Sequence, residues 1–108
     1  MEAAAVATEL EGWSPRKTGY ARQDGTPIAA WLRFSTDGAV ASDRGQTVAR
    51  LGHLSPGLRV AIRALCRDND VQVDRGELLL HIPPGGDLSE AVDRLGRVCA
   101  RIARLAPL

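Results

Sequence analysis

The sequence predicts an α+β fold: a small antiparallel sheet of two hairpins with helices packed on one face. Three observations predict it. Ile28, Ala30, Leu32 and Phe34 alternate with Ala29, Trp31 and Arg33, the period of two that marks a strand with one apolar face. Val71 and Val73, then Leu78, Leu80 and Ile82, repeat that alternation on either side of Asp74-Arg75-Gly76-Glu77. Leu58, Ala61, Ile62 and Leu65, and later Leu88, Val92, Leu95, Cys99 and Ile102, recur instead at helical spacing. A chain of 108 residues is predicted to form one domain, with 1–25 as an N-terminal helix and irregular lead-in and 26–106 as the core.

Taken in order, residues 2–11 predict a short helix with Ala3, Val6, Ala7 and Leu10 on one side and Gly12 as its stop. Gly12 to Gly25 is polar and broken. Within it Tyr20 and Ala21 form a short strand able to pair with 28–34 across the Asp24-Gly25 turn. Trp13 reads as a lid on the core rather than a ring for stacking a ligand. Ser35-Thr36-Asp37-Gly38 ends the first strong strand, because Asp can bond its own backbone and Gly tolerates positive φ. Residues 39–42 return as a strand, and Asp43-Arg44-Gly45 turns again. Thr47 is expected to cap a short helix through its hydroxyl, with Gly52 stopping it.

Ser55 caps the next helix and Pro56 occupies its first position, where the missing N–H costs nothing. That helix runs from about Pro56 to Asn69, with Cys66 beside its apolar stripe. Arg59, Arg63 and Arg67 form a row at intervals of four, on roughly the opposite side. Leu78-Leu79-Leu80 is apolar on both faces, which places its strand inside the sheet. Pro83-Pro84-Gly85-Gly86 forces a break. Asp87, with Glu90 three residues on, then resembles a capping box at the start of a helix running to about Leu105. Gly96 inside that helix costs roughly 1 kcal/mol against Ala. Its presence predicts close approach of a neighbouring backbone.

Composition bounds the function. The formal net charge is +1, so no global field draws the chain to nucleic acid or membrane. Lys17 is the sole lysine among 14 basic residues, a bias that GC-rich coding explains as readily as a need for guanidinium donors. Glu2 stands where a signal peptide would carry a base, and no segment approaches the roughly 20 apolar residues of a membrane span. A soluble, cytoplasmic protein is expected, with Cys66 and Cys99 as buried thiols and no disulfide.

The Ser42-Asp43-Arg44-Gly45-Gln46-Thr47-Val48-Ala49-Arg50-Leu51 stretch combines a turn with a helix start. A helix follows, and then the Val71, Val73, Gly76-Glu77-Leu78 hairpin. In this order and spacing, residues 27 to 105 resemble the small prokaryotic family catalogued as domain of unknown function eighteen twenty-eight. The resemblance implies a bacterial or phage-borne protein and supplies no activity, cofactor or site residue.

No residue pattern makes a catalytic constellation. Asp43 lies in a turn expected to be exposed and is explained by turn geometry. Asp74 and Glu77 lack the further acid and nearby lysine of a metal-dependent nuclease; Leu79 stands where the lysine would be. His53 and His81 have no neighbouring ligand cluster, so no metal is expected, and no cofactor motif occurs. Pro83-Pro84-Gly85-Gly86-Asp87 has no lysine, and its Asp would repel a phosphate.

The arginines are the residues to weigh. Arg94 and Arg97 are expected to pair with Glu90 and Asp93 along the helix, leaving Arg101 and Arg104 near its negative end. Arg59, Arg63 and Arg67 have no acid four residues upstream. These five, Arg59, Arg63, Arg67, Arg101 and Arg104, are the candidate binding residues. The leading expectation is a non-enzymatic accessory or regulatory protein acting through a protein partner or as a homodimer. A nucleic-acid-associated module using the arginine-lined helix is the first alternative, and a secretion-chaperone-like dimer the second.

Overall fold

The structure is a computed structural model and describes residues 12–105. The helix expected over 2–11 lies outside the described residues, as does the Ala106-Pro107-Leu108 end. Eight elements follow one another: β1 (Ser14–Ala21), β2 (Pro27–Ser35), β3 (Gly38–Ser42), α1 (Gln46–Leu51), α2 (Pro56–Asp68), β4 (Gln72–Asp74), β5 (Glu77–Ile82) and α3 (Leu88–Ala103). The strands form one antiparallel sheet in the order β1-β2-β3-β5-β4. The α+β class and both predicted hairpins are present.

The sheet is wider than expected at its first edge. The polar run after Gly12 is a full strand, with Ser14 opposite Leu32 and Ala21 opposite Pro27. An edge position explains why the sequence hid it. Pro15 needs no ladder partner on an outer edge, and the register shift between Lys17 and Ala21 breaks the alternation. Phe34 also departs from expectation. It is 53% exposed at the tip of the β2–β3 hairpin, whereas Ile28, Ala30 and Leu32 are buried.

The inner face of the sheet carries Ile28, Leu32, Ala41, Leu78, Leu80 and Ile82, all buried against Leu95, Val98, Cys99 and Ile102 of α3. Fully burying each large aliphatic side chain contributes about 1.5–3 kcal/mol. β5, flanked by β3 and β4, is the interior strand its three leucines predict. A close approach does exist at Gly96, but to a side chain and not to the backbone the sequence led us to expect. A Cβ there would overlap the side chain of Thr18 on β1, whose hydroxyl donates to the Ile28 carbonyl at 2.6 Å. The Asp87 side chain accepts from the Glu90 N–H at 3.0 Å. The box is not reciprocal, because the Glu90 carboxylate turns instead to Arg94 at 2.9 Å and 3.0 Å. Asp93 and Arg97 also pair as expected, at 3.2 Å.

The β3–α1 junction corrects two expectations. Asp43 is 1% exposed, not a surface turn residue. Its carboxylate accepts from the N–H groups of Gly45 at 2.9 Å, Thr47 at 3.0 Å and Leu78 at 2.9 Å. It thus ties the start of α1 to β5 from 35 residues away. Thr47 does not cap the helix. Gly45 is the cap, and Asp43 already accepts from the Gly45 and Thr47 N–H groups there. Ser42 donates to Glu77, which also pairs with Arg44 at 2.9 Å. The Arg44 guanidinium lies 4.6 Å from the ring centre of Trp13, and that of Arg33 lies 5.7 Å from it. Trp13 is buried, as expected of a lid, but under two arginines and apart from the main core cluster.

Candidate functional site

α2 lies beside β4, the short strand at the second edge of the sheet. The Ser55 hydroxyl starts it, accepting from the Leu58 N–H at 3.1 Å with Pro56 in the first turn. The Asn69 side chain holds its end by donating to the Leu65 carbonyl at 2.8 Å. Ile62 and Cys66 are its fully buried side chains. A narrow buried stripe on a helix set beside a three-residue strand leaves the space between them unfilled.

That space is a cleft of about 690 Å³. Its floor is apolar, with Val48 from α1, Leu54, Ile62, Val71 and Val73. Its rim is four arginines: Arg59, Arg63 and Arg67 on α2, and Arg75 in the β4–β5 turn. The arginine row therefore does not oppose the buried stripe, as the spacing suggested. At 3.6 residues per turn, Arg59 stands about a sixth of a turn from Ile62, and Arg63 the same from Cys66. The row flanks the stripe, and the cleft opens between it and β4.

The rim is rich in charge and poor in partners. Among the described residues Arg59, Arg63 and Arg67 make no ion pair; the Arg59 Nε donates to the Leu54 carbonyl at 3.4 Å. The single acid on α2 is Asp68, next to Arg67 in the chain and so turned to a different side of the helix. Arg75 reaches Asp74 only at 3.9 Å, with its side chain 94% exposed. Turn chemistry places it. Arg75 and Gly76 both have positive φ, 53° and 85°, the two-residue hairpin connection that follows the sheet's twist. Reading Asp74-Arg75-Gly76-Glu77 only as a turn missed Arg75 as a rim residue. No family model, curated protein or solved structure matches this chain. The resemblance at Ser42 to Leu51 therefore rests on its motifs alone, and the cleft has to be read from its own chemistry.

Arg101 and Arg104 do not join the other three candidates. They lie at the C-terminal end of α3 and outside the cleft. Arg94 is structural. It bonds Glu90, which raises its pKa above the ordinary value, and donates to the Asn69 carbonyl at 3.0 Å, joining α3 to the end of α2. Cys66 lies at the cleft floor but is 1% exposed, and burial pushes its thiol up to about 11. Burial and then the Asp43 charge push Cys99 up to about 12. The Thr47 hydroxyl offsets part of that rise, although it meets no ordinary hydrogen-bond partner. Both thiols are thus kept protonated and weakly nucleophilic. Among the described residues no three or more His, Cys, Asp or Glu side chains gather as a metal site, and no helix is long and apolar enough to cross a membrane.

Proposed function

We propose that this chain is a non-enzymatic binding module that takes an acidic, partly apolar segment of a partner protein into the cleft between α2 and β4. The observation that carries the reading is the four-arginine rim over an apolar floor, with no ion pair on α2 to neutralise its row. Each guanidinium offers a planar fork suited to a carboxylate. The floor offers burial to an apolar side chain next to that carboxylate. Duplex DNA would use the arginines but has nothing to place on Val71, Val73 and Leu54, so the protein partner is favoured over nucleic acid.

Fluorescence anisotropy with a labelled peptide of glutamate and valine tests the reading, beside a labelled DNA duplex of similar charge. The peptide is expected to bind, to weaken as salt rises through the physiological range, and to be lost on Arg63→Glu. Tighter binding of the duplex, with a steep salt dependence, would move the assignment to nucleic acid. Absence of peptide binding at low salt would remove the cleft as a site for acidic partners.

A further inference from the structure

The edge of the sheet says how an acidic segment would lie. β4 is the last strand of the sheet, and its outer side pairs with no strand among the described residues. The hairpin closes at Asp74 opposite Glu77, with Val73 opposite Leu78 and Gln72 opposite Leu79. Antiparallel pairs alternate between bonded and non-bonded. The Leu78 N–H turns away from β4 to the Asp43 carboxylate, and the Leu78 carbonyl accepts from the Asp43 N–H at 3.2 Å. Val73 and Leu78 are therefore the non-bonded pair, and the N–H and C=O of Val73 point off the sheet edge. One step earlier the outward N–H of Val71 is taken by the Cys66 carbonyl at 2.8 Å. Val73 thus holds the first open backbone pair, beside the cleft that its side chain lines.

The arginine spacing fits an extended chain. Four residues of helix rise about 6 Å, so Arg59, Arg63 and Arg67 repeat at that interval along α2. Alternate residues of a strand repeat at about 6.7 Å. The two intervals match, so an extended segment with an acid at every second position has the spacing to offer one carboxylate per guanidinium while its backbone meets Val73 in the same cleft.

We infer that the partner segment is an extended peptide with acids at alternate positions, bound as a sixth strand on β4. This rests on the acidic-partner reading and specifies its geometry. The main-chain bonds at Val73 would fix the segment's register, and the arginine row would supply charge and select the sequence, a short form of strand addition.

Four peptides decide it in the full-length chain: glutamate alternating with valine, the same residues rearranged to gather glutamates on one helical face, and two forms of the alternating peptide, each N-methylated on one of the two alternate sets of amides. In a strand, one set of amides faces each edge. The alternating peptide is expected to bind at least tenfold more tightly than the helical arrangement. Methylation of one set should abolish binding, and methylation of the other should leave it nearly unchanged. Val73→Pro removes an outward N–H from an edge strand but also changes a side chain that lines the cleft, so Val73→Ala is its control: the Pro variant should bind the alternating peptide several-fold more weakly than the Ala variant, while circular dichroism and the unfolding midpoint of both stay close to wild type.

Equal binding of the two arrangements, or indifference to both methylations, overturns the strand geometry and leaves the acidic-partner reading standing. Failure of every acidic peptide removes both. If the chain sediments as a dimer that the alternating peptide cannot dissociate, and Val73→Pro makes it monomeric, the edge is occupied by a second copy and the inference is wrong.

Discussion

At the scale of single residues, Asp43 carries more of the architecture than any other polar side chain described. One oxygen serves Gly45 and Leu78 and the other serves Thr47. The contacts with Thr47 and Leu78 are buried, so removing the carboxylate leaves two donors without water or partner. A buried donor left unsatisfied costs about 1–3 kcal/mol, and bonds to an ionised group stand at the upper end. Asp43→Ala is therefore expected to lower unfolding stability by about 3 kcal/mol or more in a urea titration. Asp43→Asn keeps one acceptor oxygen but turns an NH2 group toward a remaining donor, so it should fall between. Equal stability of the two variants would mean that the carboxylate's bonds are not what holds α1 against β5. The sequence could place Asp43 in a turn but not measure its burial. Its three donors come from two separate segments, and the contact with Leu78 joins residues 35 apart.

At the scale of elements, the meeting of α3 with β1 is set by the one glycine inside the helix. Gly96 lets Thr18 come within contact of the helix backbone, and Thr18 in turn bonds the Ile28 carbonyl on the neighbouring strand. Gly96→Ala should gain about 1 kcal/mol of helix propensity. It should also force the helix off the edge strand at a cost of roughly 1–3 kcal/mol. The second effect wins where the neighbour is a buried β-branched side chain in the sheet. Net destabilisation is expected for Gly96→Ala alone, and much less when Thr18→Ala is combined with it. Strictly additive losses in that double-mutant cycle would refute the contact. The elements also show where a linear reading succeeds. α3, β2 and β5 bury one clean face each, so periodicity found them and their partners. β1 was obscured because an edge strand need not alternate and can carry Pro15. The flank position of Arg59, Arg63 and Arg67 was obscured because only Ile62 and Cys66 of the α2 stripe are fully buried, which shifts the centre of the buried face. The arginines themselves were legible as unpaired. The cleft was not, since its other wall is β4 and its fourth arginine comes from a turn.

At the scale of the whole molecule, the proposed use of the cleft would set binding against stability. Arg63 stands four residues from both Arg59 and Arg67, so it belongs to two like-charge pairs on the helix surface. Each such pair destabilises a helix by about 0.2–0.5 kcal/mol, and Asp68, five residues from Arg63, is not spaced to offset them. Arg63→Gln removes both repulsions and keeps a long side chain with good helix propensity. The variant is expected to be more stable than the parent by about 0.5 kcal/mol at low salt, with the gain shrinking as salt screens the row. The same change takes the central guanidinium from the rim, so the alternating acidic peptide should bind about fivefold more weakly, the equivalent of roughly 1 kcal/mol. Gain and loss come from one charge and must move together. Urea unfolding and anisotropy on the same preparations at two salt concentrations measure both. A binding site built from repelling charges predicts opposite signs. If Arg63→Gln lowers stability, or leaves peptide affinity untouched, the row is a solvated surface packed for the fold and not a rim held ready for an acidic chain.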